Sequence, residues 1–433
     1  VAVIGAGVVG LSTALWLQRY GHQVEIIDPA PPLPGMDFRR AASFGNAATI
    51  APNAIFPVAS PGILWKVPGM LLDKEGPFSL YWRDLPDLLP WLSAFILSSR
   101  KPRFDHLTSC LATLMRHIEV GHAPLMAEVG DIRLGRGTGS LHLYRSEAEL
   151  KSAHVAMVRR NQEGIRGDIL TAAQIREREP NLAQEYYGGA LFHDAYVLDD
   201  PEAYCHGLAR AIIARGGSFT RGSAEDLEIN GAGLTVRTSL GLIKSDRVVL
   251  SAGAWSRDLA RRSGQSLNLN TERGYHVSFT SQKELLSHPV MYPSDGFFLV
   301  PMAGEIRAAG TVELGGLDKP TRPVRLEVLE RKARRMLPGL GTKRSDWLGF
   351  RPSTPDSLPF IGPSLRDPRL FFACGHGHLG LTLGGITGKL IAALVSGEKP
   401  ELDLAPFSPG RSTSGLRLAD PCPRHNPSRR RGS

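Results

Sequence analysis

The stretch VAVIGAGVVGLSTALWLQRYGHQVEIID, Val1 to Asp28, decides the fold. VAVI is uncharged and reads as a strand buried on both faces, as in parallel sheets. GAGVVG follows and sets Gly5, Gly7 and Gly10 in a G-x-G-x-x-G spacing. Leu11, Ala14, Leu15 and Leu17 then recur at helical intervals up to Gly21, a natural helix stop. VEIID is a second strand ending on Asp28. Gly5 permits the strand-to-helix turn, Gly7 lets the backbone approach a pyrophosphate, and Gly10 lets the helix lie close on the strand. The helix N-terminus turns amide N–H groups and a positive dipole toward that anion. Asp28, 18 residues after Gly10, is placed for ribose hydroxyls and disfavours a 2′-phosphate. Dinucleotide binding follows; FAD and NAD both stay open on these residues.

The rest of the composition is that of a globular protein. At 433 residues, 42% apolar and 21% charged, the chain can bury a large core and divides into two lobes. The net charge of +9 suggests an anionic partner, but its distribution does not. From Arg411 onward there are six arginines and one aspartate, so five of the nine charges lie in the last 23 residues. Nucleic acid is therefore not expected as a partner. Cys110, Cys205, Cys374 and Cys422 are widely spaced, without metal-ligand spacing, so no metal is expected and free thiols in a reducing compartment are. The chain opens without a basic leader or Met, so no signal peptide is read and a few preceding residues are expected.

No membrane-spanning helix is evident from the sequence. The uncharged run FGNAATIAPNAIFPVASPGILW is broken by Pro52, Pro57 and Pro61. Asp84 to Leu97, DLPDLLPWLSAFIL, is too short to span; it reads as a core or docking helix, with a membrane or partner-subunit contact as the sharper alternative. Downstream, VVLSAGAWS resembles another strand of the nucleotide sheet. LFFACG, then GHGHLGLTLGG, then ITGKLIAALVSG repeat the strand, glycine turn and helix of the N-terminus. The last unit is expected to fold back on the first.

VIGAGVVGLSTALWL, ASFGNAATIAP, VVLSAGAWS, RGYHVSF, GFRPSTPDSLPFIG and GHGHLGLTLGGITGKLIA, in this order, resemble the motifs of the FAD-dependent D-amino-acid oxidase/glycine oxidase superfamily. Within it the chain is most similar to bacterial D-amino-acid dehydrogenases and D-hydroxyproline dehydrogenases. The likeness runs from Val1 to about Phe407. It implies an α/β fold, in which a Rossmann-type FAD domain (1–130, 196–262 and 346–398) is interleaved with an α+β substrate domain on a large antiparallel sheet (131–195 and 263–345). Residues 408–433, polar, Pro-rich and basic, are expected to be disordered.

The resemblance implies FAD and a dehydrogenase that oxidises a D-amino or D-imino acid, D-hydroxyproline-like substrates included. Hydride passes from the α-carbon to flavin N5, and electrons pass to a quinone or another acceptor. The alternatives are a glycine/sarcosine-type oxidase releasing hydrogen peroxide, an FAD-binding electron-relay subunit, and an NAD-dependent dehydrogenase. The implied location is cytoplasmic, with a peripheral contact on the inner membrane as an extension. Ala6, Val9, Ser43, Asn46, Ala252 and Gly253 would accompany the first glycines at the cofactor. Gly375, His376, Gly377, Leu379, Gly380 and Thr382 would line the ring's pyrimidine edge, where N–H donors and a helix dipole stabilise developing charge.

An amino-acid substrate needs its carboxylate fixed, and the fork of arginine suits it. By resemblance Arg351, in GFRPSTPD, supplies that fork; a structural ion pair with Asp356 is the alternative. Tyr275 would give a hydroxyl to the carboxylate, or else be a core tyrosine. Arg307 and Glu313 would line the pocket or stand as solvated strand residues. His376 and His378 would hydrogen-bond flavin or substrate, or take a proton from the ammonium. Cys374 reads as a small buried thiol, with a covalent flavin link as the sharper alternative.

Overall fold

The computed structural model describes all residues except 64, 66, 68, 70–72, 74, 131–136, 232, 282–283 and 412–433. A six-stranded sheet carries the N-terminal stretch. Its order is Phe360–Pro363, Leu370–Cys374, Val248–Leu250, Ala2–Ile4, Glu25–Ile27, Ser218–Thr220. All neighbours run parallel except the first two strands. Ala2, Val3 and Ile4 are all buried, as their uncharged run requires.

Helix Val8–Arg19 follows the glycine turn and stops at Tyr20 and Gly21, whose φ is +85°. Helix Gly380–Val395 lies directly on it. Glycine makes that approach feasible: a Cβ on Gly388 would stand 2.7 Å from Ser12 O, and one on Gly385 would stand 2.7 Å from Gly121 O. The last strand–turn–helix unit thus packs back on the first, as expected. One helical stretch, Gly377–Val395, is long and apolar enough to cross a membrane, but 72% of it is buried within the protein.

A nine-stranded sheet faces this unit. Its path is Lys343–Ser353, Asn270–Thr280, Glu305–Leu314, Phe297–Met302, Val290–Tyr292, Ser140–Tyr144, Gly188–Phe192, Gly167–Thr171, with Phe78–Leu80 beside Glu305–Leu314. It is antiparallel except at two pairings, Val290–Tyr292 with Ser140–Tyr144 and Phe78–Leu80 with Glu305–Leu314. Two expected boundaries move. The division at 345/346 falls inside Lys343–Ser353, which pairs along Asn270–Thr280. Phe78–Leu80, expected in the nucleotide lobe, is a strand of the larger sheet.

Helix Leu85–Ser98 buries Leu88, Trp91 and Ala94, and the Trp91 indole donates to Ser353 O at 3.0 Å. It is a docking helix within the chain. The expected disordered tail begins later than 408, because Arg411 forms an ion pair with buried Asp356 at 2.9 Å. Residues 412–433 lie outside the described residues.

Candidate active site

A cavity of about 530 Å³ lies where the parallel strands end, between them and the nine-stranded sheet. Ile4, Asp28, Ala252, Gly253 and Cys374 wall its nucleotide side. Gly5 has φ +107°, and a Cβ there would stand 2.5 Å from Ser251 O; one on Gly10 would stand 1.9 Å from Gly5 O. Only bare backbone fits this turn. The Val8 amide donates to Ser43 Oγ at 2.8 Å, so the loop carrying Ser43 and Asn46 is tied to the helix start. Asp28 accepts from the amides of Ala6 (2.7 Å) and Ala30 (2.8 Å), each through a different oxygen. Burial raises its carboxyl, and the two amides oppose the shift. Gly5, Gly7, Val9, Ser43 and Asn46 line the cavity, whereas Ala6 and Gly10 shape the turn from behind the wall.

At the other end the strands Lys343–Ser353, Asn270–Thr280 and Glu305–Leu314 lie side by side. Arg351 reaches from the first across the second: a Cβ on Gly274 would stand 2.2 Å from Arg351 Cζ. Its Nη1 donates to Thr311 O, on the third, at 2.8 Å. Thr311 holds φ +58°, a costly conformation for a β-branched residue, and its carbonyl meets the guanidinium there. Glu272 pairs across the strands with Arg351 and is 4% exposed. Its Oε2 lies 3.6 Å from His378 Nε2, with no hydrogen-bond partner among the described residues. Burial raises the Glu272 carboxyl, with Arg351 pulling the other way.

The glycine-rich loop closes this end. Gly377, His378, Leu379, Gly380 and Thr382 line the cavity. Gly375, at φ +80°, turns the chain out of the strand behind the wall. His378 is exposed only to the cavity; enclosure by protein and the Arg351 charge push its imidazole down to about 3. His376 differs. Its Nε2 meets Thr387 Oγ1 at 2.9 Å, it is 4% exposed, and burial pushes it down to about 3. That geometry contradicts a base role for His376. Cys374 is buried with its thiol pushed up to about 12, consistent with an inert core thiol.

Three more expectations change. Asp356 pairs with Arg411, not Arg351, so the structural ion pair foreseen for Arg351 does not form. The Tyr275 hydroxyl donates its one hydrogen to Glu313 Oε1 at 2.9 Å, and Glu313 also pairs with Arg273 and Arg322. Neither Tyr275 nor Glu313 offers a polar group to the cavity in that arrangement, although Tyr275 borders it. Arg307 is off the wall altogether: it is 8% exposed, and Nη1 donates to Phe44 O (3.4 Å) and Asn46 O (3.1 Å).

Arg307 belongs to a clamp on the loop around Ser43. His276 meets Gly45 O through Nδ1 at 3.0 Å, and the Trp347 indole donates to Arg39 O at 2.7 Å. His276 stacks on Trp347 with 5.3 Å between ring centroids. Burial and then Arg307 push His276 down to about 3, so it is neutral with Nδ1–H as donor. Three neighbouring strands thus hold a loop that walls the nucleotide side. Glu272, His276 and Trp347 were missed from sequence, since their roles depend on cross-strand register; the one readable hint was glycine beside them at Gly274 and Gly349.

The model of the family described as FAD dependent oxidoreductase matches residues 1–394. The chain is 37% identical over 419 residues to a D-amino-acid oxidase from Bradyrhizobium diazoefficiens, covering 95% of this chain and 98% of that one. It is 30% identical to a D-amino acid dehydrogenase from Vibrio cholerae, covering 92% and 96%. The crystal structure of glycine oxidase from Geobacillus kaustophilus superposes with TM-score 0.71 at 22% identity, over 95% of this chain and 98% of that one. The glycine turn, the acid that follows it and the family match over nearly the whole fold lead to one conclusion: this chain belongs to the FAD dependent oxidoreductase (DAO) family.

Proposed function

We propose that the chain oxidises D-amino or D-imino acids, using FAD and passing the electrons to a quinone or similar acceptor. The observation that carries this reading is Arg351, spread over Gly274 and facing the cavity beside the glycine-rich loop. A guanidinium laid flat on bare backbone presents its fork to a planar carboxylate. FAD, when bound, accepts the two electrons and the hydrogen released from the substrate's C–N unit. The Gly5–Gly10 turn and Asp28 suit its pyrophosphate and ribose.

In this reading Arg351 fixes the carboxylate, and Thr311 O with Glu272 fixes Arg351. His378, neutral and open to the cavity, accepts a hydrogen bond from the substrate nitrogen, which loses its proton as the imine forms. Water then releases a 2-oxo acid and ammonia from a primary amine. The relatives named D-amino-acid oxidase and D-amino acid dehydrogenase support the D-configuration. The 37% identical relative also supports a second reading, in which oxygen takes the electrons. A cytoplasmic location, with quinone met at a membrane surface, accords with the first reading.

The test is a dye-coupled assay of the purified holoprotein on D-alanine, D-proline and their L-enantiomers. Dye reduction with the D-forms alone, with stoichiometric pyruvate from D-alanine, is the expected result. Turnover of L-forms only, or of neither, would reject the reading. Hydrogen peroxide formed at a matching rate in air without dye would select the oxidase.

A further inference from the structure

The register of the nine-stranded sheet shows what lies next to the substrate carboxylate. Met291 pairs with Phe298, Phe298 with Ala309, Ala309 with His276 and His276 with Trp347. Side chains of directly paired residues share a face, so these five make one row across five strands. The row is on the cavity face: Met291, Phe298, Ala309 and Trp347 line the cavity, and the His276–Trp347 end is clamped to the Ser43 loop.

Arg351 sits beside this row. Its guanidinium lies over Gly274, two residues from His276, and its Nη1 reaches Thr311, two residues from Ala309. Adjacent strands are about 4.8 Å apart, and alternate residues on one strand about 7 Å apart. A carboxylate on the fork therefore stands roughly one side-chain length from Ala309 and Phe298, with Met291 one strand further. The His276–Trp347 end is filled by the Gly45 loop: a Cβ on Gly45 would stand 2.1 Å from the Trp347 ring. The open direction is toward Phe298 and Met291.

That direction holds no charge. Among the described residues, the charged side chains on the cavity wall are Asp28, Arg40 and Arg351. Asp28 and Arg40 belong to the nucleotide side. Glu272 is behind Arg351 and is not on the wall. Phe298 is held by a T-shaped contact with His142, ring centroids 6.1 Å apart, and presents a fixed apolar surface.

We infer that Met291, Phe298 and Ala309 form the side-chain subsite, and that it selects monocarboxylates with neutral, apolar side chains. The inference rests on the D-amino-acid reading above. A second carboxylate or an ammonium on the side chain would lose its water and find no counter-charge. Bulk is limited by Phe298 on one side, while unbranched Met291 can shift its rotamers to admit longer chains.

The test is kcat/KM for D-leucine, D-methionine, D-glutamate and D-lysine with the holoprotein, repeated with Met291→Lys. D-Leucine and D-methionine are expected to exceed D-glutamate and D-lysine by roughly 100-fold. Met291→Lys is expected to narrow the D-leucine/D-glutamate ratio by about 10-fold or more while D-lysine stays poor. D-Glutamate or D-lysine turning over as well as D-leucine in the unmodified protein would overturn the subsite and leave the D-amino-acid reading intact. An unchanged ratio in a folded, yellow Met291→Lys would also overturn it, as Met291 would then not face the substrate. No turnover of any D-amino acid would overturn both readings together.

Discussion

At the residue scale the site depends on two side chains that face opposite fates. Arg351 is usable because Gly274 leaves room for it, and His376 is unusable because Thr387 holds it in the core. Arg351→Lys keeps the charge and loses the fork, so steady-state kinetics should show KM for D-substrates rising roughly 10- to 100-fold. Gly274→Ala should act in the same direction with Arg351 intact, because its Cβ meets the guanidinium. A second prediction concerns pH. His276 and His376 are held at about 3 against an ordinary 6.5. Above 6.5 both are neutral folded or unfolded and contribute nothing; below it the unfolded chain binds protons that the native chain does not. Stability should therefore fall as pH drops from 6.5 toward 3, seen as a lower urea midpoint at about pH 5 than at about pH 7.5. Arg351 was readable from its motif. The burial of His376 was not, because GHGH reads alike whichever way each imidazole turns.

At the element scale, the larger sheet holds the nucleotide side as well as the substrate side. Arg307, His276 and Trp347 reach from three adjacent strands to the carbonyls of a loop tied by Ser43 to the first helix. Arg307→Met should free two carbonyls of that loop. A buried hydrogen-bonding group left unpaired costs roughly 1–3 kcal/mol, so flavin fluorescence should report FAD affinity weakened about 10-fold. Thermal unfolding of the apoprotein should change little if the clamp serves the cofactor. An equal loss of apoprotein stability, with FAD affinity unchanged, would make Arg307 a purely structural residue. The first strand, the glycine turn and both long glycine-flanked helices were legible because their periodicity and punctuation are local. The edge of the large sheet was not: GFRPSTPD reads as a loop motif, yet its first residues finish an eleven-residue strand whose partner is 73 positions away in sequence at Arg351↔Glu272 less.

 The correct separation is 79 residues, counted from Glu272 to Arg351, and no local pattern reveals a pairing that distant.

At the scale of the whole molecule, the cavity exists because two sheets meet, and the chain crosses between them several times. Composition and the opening motif made the nucleotide lobe legible, and the ordered motifs made the second lobe legible. The packing behind the site was not, because it comes from residues distant in sequence. Arg411, expected at the start of a loose tail, pairs with Asp356 and lies 4.0 Å over the Phe360 ring, behind the strand that ends in Arg351's loop. Burial alone would raise the Asp356 carboxyl, but Arg411 and Arg103 together hold it below its ordinary value. Arg411→Ala leaves that carboxylate buried with the more distant Arg103, so thermal unfolding should show a loss of roughly 3 kcal/mol or more. The central claim is that this cavity brings a D-amino acid to FAD by its carboxylate. The most direct measurement is the flavin absorbance of the purified holoprotein between about 350 and 500 nm, followed without oxygen as D-leucine and then L-leucine are added to separate samples. The account predicts bleaching by the D-enantiomer only, abolished or greatly slowed in Arg351→Met. Bleaching by the L-enantiomer instead, or by neither, would contradict it.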